Sequence, residues 1–186
     1  MKKLICLLTS LVGVLAVSGA QADNFYAGAF GGFNWLQSNQ HHEHARWGFI
    51  AGVDLGYKWC NGFRAELEAA YRNNRIHPGE SRRHTQNYAG LVNVLYDFDA
   101  LGCYCATPYI GGGVGFASEK RRRVNDELSV PESYDHRRTN FAWQLIGGVL
   151  VPLNDCVDVN LAYRFFVVTH NNANNHALTV GATYNF

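Results

Sequence analysis

Beyond its first 22 residues the chain lacks any apolar run long enough for a transmembrane helix, which excludes a helical membrane protein. It also lacks an excess of charge, because 16 Lys and Arg accompany 15 Asp and Glu, for a formal net charge of +1. The net charge therefore does not indicate any particular class of binding partner. Nucleic-acid binding has little support, since the basic residues form only a short run. No cofactor is indicated.

The N-terminal residues have the pattern of a secretory signal peptide. Two lysines precede an apolar stretch over 4–17, and Ala20 and Ala22 follow at the spacing that signal peptidase requires. We predict a signal peptide over 1–22, cleavage after Ala22, and a single domain over 23–186. An uncleaved N-terminal anchor is the alternative.

Eight later segments alternate between apolar and polar residues with the period of a β-strand. In the clearest of them, Val53, Leu55 and Tyr57 alternate with Asp54 and Lys58. The first segment is ambiguous in register. For it we favour an outward face of Phe25, Ala27, Ala29 and Phe33. The segments lie near 25–34, 49–59, 63–72, 88–98, 110–116, 141–151, 157–165 and 178–186.

Three features favour a membrane barrel over a soluble sandwich. Each segment is about ten residues long, as a tilted strand needs to cross a bilayer. Aromatic residues lie at segment ends, as in interfacial girdles. Tight turns at 60–62 and 154–156 alternate with longer polar connections at 34–47, 73–85, 118–139 and 168–176. We therefore predict an all-β, eight-stranded antiparallel up-and-down transmembrane barrel in a bacterial outer membrane, with its long loops outside.

Three stretches carry a resemblance to a known family. They are Gly-Val-Asp-Leu-Gly-Tyr-Lys-Trp at 52–59, Gly-Phe-Arg-Ala-Glu-Leu-Glu at 62–68, and Tyr-Asn-Phe at 184–186. The chain resembles the small eight-stranded outer-membrane barrels, the group that includes opacity-type and surface-antigen proteins and the barrel of outer-membrane protein A. The resemblance implies that Phe186 is presented to the barrel assembly machinery, and that lipid and lipopolysaccharide surround the wall.

Charged residues fall on the inward face of the predicted strands. An eight-stranded barrel has room for side chains and little else, so these charges must be paired. We expect an interior network in which Glu66 and Glu68 pair with Arg64, Arg72 or Arg164; a narrow gated pore is the alternative. The full inward set is Asp54, Lys58, Arg64, Glu66, Glu68, Arg72, Asp97, Asp158 and Arg164.

Four cysteines fall in the predicted periplasmic turns, where the compartment is oxidising. Cys103 and Cys105 are one residue apart, so a bond between them would be strained. We predict that one of them pairs with Cys60 and the other with Cys156. Which pairs with which stays open. Metal binding by these cysteines is the alternative.

Histidines and basic residues mark the opposite end. The run at His41, His42 and His44 is a candidate zinc or copper site, against a reading as solvated loop residues. The other histidines, in or beside the predicted outer loops, are His77, His84, His136, His170 and His176. The basic residues are candidates for contact with lipopolysaccharide phosphates or with an acidic host ligand, and they are Arg82, Arg83, Lys120, Arg121, Arg122, Arg123, Arg137 and Arg138.

Catalysis has a weaker basis. Some barrels of the resembled group are lipid A deacylases, which would need a serine and a carboxylate beside a lipid-facing histidine. No serine follows His170 or His176. We therefore predict a non-enzymatic surface protein whose barrel is an anchor and whose four outer loops serve adhesion or host interaction. The alternatives are a small pore or transport accessory and, third, a deacylase.

Overall fold

A computed structural model describes residues 25–38, 46–75, 83–98, 106–123, 136–169 and 173–186. The predicted signal peptide lies outside these ranges. The strands are β1 (Phe25–Ser38), β2 (Arg46–Lys58), β3 (Phe63–Arg75), β4 (Arg83–Asp97), β5 (Thr107–Arg123), β6 (His136–Asn154), β7 (Val157–Val168) and β8 (Ala173–Asn185). Each pairs antiparallel with the next, and β8 pairs with β1. The predicted eight-stranded closed barrel is confirmed. Within the described ranges, no helix is long and apolar enough to cross a membrane.

The two faces of the wall have reversed polarity relative to a soluble protein. Phe33, Leu67 and Phe116 point outward, with 62–70% of their surface exposed, whereas Glu68 and Arg72 are buried inside. An apolar outer face matches a hydrocarbon solvent, and closure leaves no strand edge unpaired in it. The outward register predicted for β1 is confirmed, because its alternate residues, Tyr26, Phe30 and Asn34, are buried.

Tight turns mark one end of the barrel, which we call the inner end. Gly62 adopts a φ of +86°, a left-handed conformation that favours glycine, and Asn61 Oδ1 accepts a hydrogen bond from the Phe63 N–H at 3.2 Å. At the other tight turn, Asn154 Oδ1 accepts from the N–H groups of Cys156 and Val157 at 3.0 and 2.8 Å. These local bonds explain why both turns are so short.

The strands extend further than predicted at the opposite, outer end. We expected a loop over 118–139, but β5 continues to Arg123 and β6 already begins at His136. The loop placement of Arg83, Lys120, Arg121, Arg122, Arg123, Arg137 and Arg138 was therefore wrong, since all of them lie in strands. The backbone ladder does not depend on apolar side chains, so pairing continues where the alternation of hydrophobicity has ended.

Candidate functional site

A buried carboxylate ties together four strands in the middle of the lumen. Glu68 Oε2, on β3, accepts hydrogen bonds from Arg164 Nη1 at 2.7 Å and Asn93 Nδ2 at 2.8 Å. Gln144 Nε2 donates to the same oxygen at 2.7 Å. The Glu68 side chain has no exposed surface. Its charge is therefore compensated by donors from β4, β6 and β7, which is what burial of a carboxylate requires.

A second network lies closer to the inner end. Arg64 Nε donates to Asp97 Oδ1 at 2.9 Å, and Arg64 Nη1 lies 3.3 Å from Glu66 Oε1. The Tyr26 hydroxyl donates to Glu66 Oε1 at 2.7 Å. Lys58 Nζ lies 3.0 Å from Asp97 Oδ2. Two of the expected pairs, Glu66 with Arg64 and Glu68 with Arg164, are thus brought together.

The remaining inward charges are placed differently. Arg72, which we expected to pair with a carboxylate, instead stacks its guanidinium over the Phe166 ring, with Cζ 3.9 Å from the centroid. Within the described ranges neither of its Nη atoms has a hydrogen-bond partner. Asp54 is buried, and Asp158 is half-buried near the inner end, where Asn185 Nδ2 donates to it at 2.9 Å. Side chains from facing strands meet across the lumen.

The cysteines are only partly described. Cys60 and Cys156 are exposed in the two tight turns at the inner end, without a disulfide partner among the described residues. Cys103 and Cys105 belong to the β4–β5 connection and lie outside the described residues. The proposed pairing therefore stays a prediction.

Peptide mapping tests this prediction. Non-reducing digestion with trypsin of protein isolated from the envelope is expected to yield one disulfide-linked species, in which the peptide with Cys60 and the peptide with Cys156 are both joined to the peptide that holds Cys103 and Cys105. A disulfide bond typically adds about 2–4 kcal/mol to stability, and it persists in an oxidising compartment. Recovery of Cys60 and Cys156 as free thiols, under alkylation during lysis, would refute the pairing.

Of the histidines, the structure describes the side chain of His176. His41, His42, His44, His77 and His170 lie outside the described residues, so the proposed zinc or copper site stays a prediction. His84 and His136 lie in strands β4 and β6. Among described residues no group of three His, Cys, Asp or Glu side chains could hold a metal ion.

His176 lies on the outward face of β8. Its Nδ1 is 2.6 Å from the Tyr163 hydroxyl, and its ring stacks on Trp35 at 5.8 Å. Among the described residues, the hydrogen-bond partner of His176 is thus the Tyr163 hydroxyl. A deacylase would need a serine and a carboxylate beside the histidine. Sequence reasoning missed Trp35 and Tyr163 because their approach depends on strand register, although the period-two pattern does place both outward.

The basic candidates come together on three neighbouring strands at the outer end. The register sets Arg83 opposite Arg123 between β4 and β5. Between β5 and β6 it sets Lys120 opposite Arg137 and Glu119 opposite Arg138. Arg82 lies outside the described residues. We call the seven basic residues placed in strands the basic rim: Arg83, Lys120, Arg121, Arg122, Arg123, Arg137 and Arg138.

Comparison with known sequences gives two matches. A family model described as "Outer membrane protein beta-barrel domain" matches residues 4–186. A curated "Outer membrane protein" of Gluconacetobacter diazotrophicus is 34% identical over 133 residues, which cover 65% of this chain and 35% of that protein. The chain thus matches only about a third of the relative's length.

Solved structures share the fold. Neisserial surface protein A superposes with a TM-score of 0.70 at 21% identity, covering 91% of this chain and 100% of that one. The attachment invasion locus protein of Yersinia pestis superposes with a TM-score of 0.59 at 11% identity, covering 88% and 99%. At these identities the likeness concerns the fold alone.

Proposed function

Because the chain belongs to the outer membrane protein β-barrel family, and so lies in the bacterial outer membrane, we propose that it is a non-enzymatic surface anchor that attaches to acidic glycans. The basic rim is the observation that carries this proposal. It would present the cell with a cationic contact surface on the outside of the membrane.

The register between β4, β5 and β6 brings the residues of the basic rim close together. Neighbouring strands lie about 4.8 Å apart, so residues that face one another across β4, β5 and β6 are close neighbours. Like charges at opposed positions, such as Arg83 and Arg123, destabilise a sheet. A cluster of basic residues at neighbouring positions suits a polyanionic partner, which would offset any repulsion between the like charges.

The lumen supports the anchor role. Several of its buried charges are engaged with one another, as Glu68 is with Arg164 and Arg64 is with Asp97. An eight-stranded barrel of this kind has an interior that side chains occupy, with little space for a solute. We therefore place the binding activity at the outer end and assign the barrel a structural role.

A sulfated polysaccharide is a suitable first probe. The Yersinia pestis protein has been crystallised with the heparin analogue sucrose octasulfate. That ligand belongs to that protein, and its likeness to this chain is in the fold. The argument for this chain rests on its own basic rim, and the neighbour only suggests which polyanion to try.

The proposal predicts salt-dependent binding of heparin to the barrel in phosphatidylcholine nanodiscs. The double variant Arg121→Gln/Arg122→Gln is expected to weaken binding by roughly three- to tenfold, because each exposed ion pair contributes about 0.2–1 kcal/mol. Raising the ionic strength is expected to weaken it further. Biolayer interferometry of immobilised nanodiscs gives both dissociation constants.

The double variant Arg46→Gln/Arg75→Gln is the matched control. It removes two positive charges from the outer ends of β2 and β3, beside the basic rim. Equal weakening by both double variants would show a general charge effect and contradict the assignment to the rim. Absence of heparin binding, together with weaker binding of added lipopolysaccharide by Arg121→Gln/Arg122→Gln than by the parent barrel, would favour the lipid phosphates as the partner instead.

A further inference from the structure

The basic rim has two faces, because successive positions along a strand lie on opposite sides of the sheet. The described wall below the rim shows which side is which. Ala117 on β5 and Ala142 on β6 are buried in the lumen, whereas their neighbours Phe116 and Phe141 are exposed on the outside. From these residues to the outer end, β5 pairs with β4 and β6 in an unbroken register. The same alternation therefore continues through the basic rim.

This alternation divides the basic rim into two sets. Partners in the register lie on the same side of a sheet, and Arg83 lies opposite Arg123 while Lys120 lies opposite Arg137. A run of four consecutive cations in the sequence, 120–123, is thus split between the two sides. The lumen-side set is Arg83, Arg121, Arg123 and Arg138, and the membrane-side set is Lys120, Arg122 and Arg137.

The lumen-side set continues into a polar part of the lumen. Arg138 lies opposite Glu119, and the same cross-strand row goes on to Asn87 and then to Arg72. Both Nη atoms of Arg72, Oδ1 of Asn87 and both amide atoms of Asn34 are buried without a hydrogen-bond partner among the described residues. Buried polar groups are normally hydrogen-bonded. The mouth of the lumen therefore offers polar groups, including a second source of positive charge, beneath the lumen-side set.

Closure of the barrel makes the two sets electrostatically different. Positions on the inside of a closed wall converge on the barrel axis, whereas positions on the outside diverge. A concave surface lined by one sign of charge focuses the field and raises the local concentration of counter-ions. The membrane-side set lies instead beside the outer-leaflet headgroups, whose phosphates already compensate positive charge.

The residue types of the two sets also differ. All four members of the lumen-side set are arginines, whereas the membrane-side set includes Lys120. An arginine presents a planar fork that holds a carboxylate or a phosphate-like group such as sulfate through two parallel hydrogen bonds. The lumen-side set therefore combines a converging geometry with the side chain best suited to the anionic groups of a glycan.

We propose that the lumen-side set, at the mouth of the barrel, is the half of the basic rim that binds the sulfate and carboxylate groups of the glycan. This inference rests on the proposed function and assigns its binding to one face of the wall. The glycan then lies over the mouth of the barrel, and the membrane-side set contributes little to its affinity.

Two double variants on β5 test this assignment. Arg121→Gln/Arg123→Gln removes two positive charges from the lumen side, and Lys120→Gln/Arg122→Gln removes two from the membrane side of the same segment. Binding of heparin to the full chain in phosphatidylcholine nanodiscs is measured for both. We expect the first variant to raise the Kd by roughly tenfold, because it removes charge-assisted contacts, and the second to raise it by less than about twofold.

The salt dependence of binding gives a second readout. Each lost contact between a cation and a polyanion lowers the slope of log Kd against log salt concentration by about one. We expect a decrease of about two for Arg121→Gln/Arg123→Gln and an unchanged slope for Lys120→Gln/Arg122→Gln. The variant Arg121→Lys/Arg123→Lys keeps the charge but not the fork, and it is expected to retain the parent slope with a smaller loss of affinity.

The possible outcomes separate this inference from the proposed function. The compact species on unheated gels shows that each variant has folded. Equal weakening by the two Gln double variants, or greater weakening by Lys120→Gln/Arg122→Gln, would overturn the assignment to the lumen side but leave the basic rim as the binding site. Heparin binding that is absent from the parent protein, or unchanged in both Gln variants, would overturn the proposed function and this inference with it.

Discussion

Replacing Glu68 by glutamine is expected to lower the free energy of unfolding by about 3–5 kcal/mol, the usual cost of removing one partner of a buried ion pair. The substitution leaves the buried Arg164 guanidinium without its carboxylate. It also places an amide where Asn93 and Gln144 both donate. Urea titration of the refolded barrel in lipid vesicles, followed by tryptophan fluorescence and by gel mobility, measures the change.

Two further variants show whether the uncompensated charge is the cause. Asp158→Asn removes a half-buried carboxylate near the inner end that accepts from Asn185, and its effect is expected to stay within about 1 kcal/mol. The double variant Glu68→Gln/Arg164→Met should recover much of the lost stability, because it removes the orphaned charge. Equal stability of Glu68→Gln and the parent protein would contradict the role assigned to this carboxylate.

A methyl group at Gly115 is expected to disrupt closure between β4 and β5. A Cβ there would collide with the carbonyl oxygen of Gly90 and lie 2.8 Å from Cα of Leu91. Both are backbone atoms of the paired strand, so relief requires separation of the ladder. We expect Gly115→Ala to cost more than about 3 kcal/mol, the upper range for overpacking of side chains, and to lower the yield of folded barrel on refolding.

Gly90→Ala is the matched control for this variant. Gly90 lies on the strand next to Gly115, but a Cβ at Gly90 would meet no atom within 4 Å. Its effect is expected to stay within about 0.5 kcal/mol, as for other surface substitutions. The fraction that migrates as the compact species on unheated gels gives the folded yield. Similar yields for Gly115→Ala and Gly90→Ala would show that the ladder tolerates the collision.

The strands could be predicted from the sequence because a strand that lies between two environments alternates between apolar residues on one face and polar residues on the other. That alternation placed Glu68, Arg64 and Arg164 inside and Phe33 outside. It failed at the ends of the strands. Beyond the membrane both faces meet water, so Lys120 to Arg123 carry no alternating pattern although they continue β5.

Partners inside the barrel could not be predicted in the same way. The alternation of inward and outward residues along a strand predicts that Arg72 and Arg164 point inward. The partner of each, however, depends on how far facing strands are shifted relative to one another along the barrel axis. That shift follows from how the eight strands are staggered on closure. It brings Glu68 to Arg164, 96 residues away, and Arg72 to the Phe166 ring.

The sequence by itself determined the fold class, the membrane-facing polarity and the end at which the short turns lie. All three are local properties, because each depends on alternation within one strand or on the length of one connection. Only the tertiary structure decided which cations form the basic rim, which carboxylate holds Arg164, and that His176 lies between Trp35 and Phe165. These are properties of register between strands, and register is set only when the barrel closes.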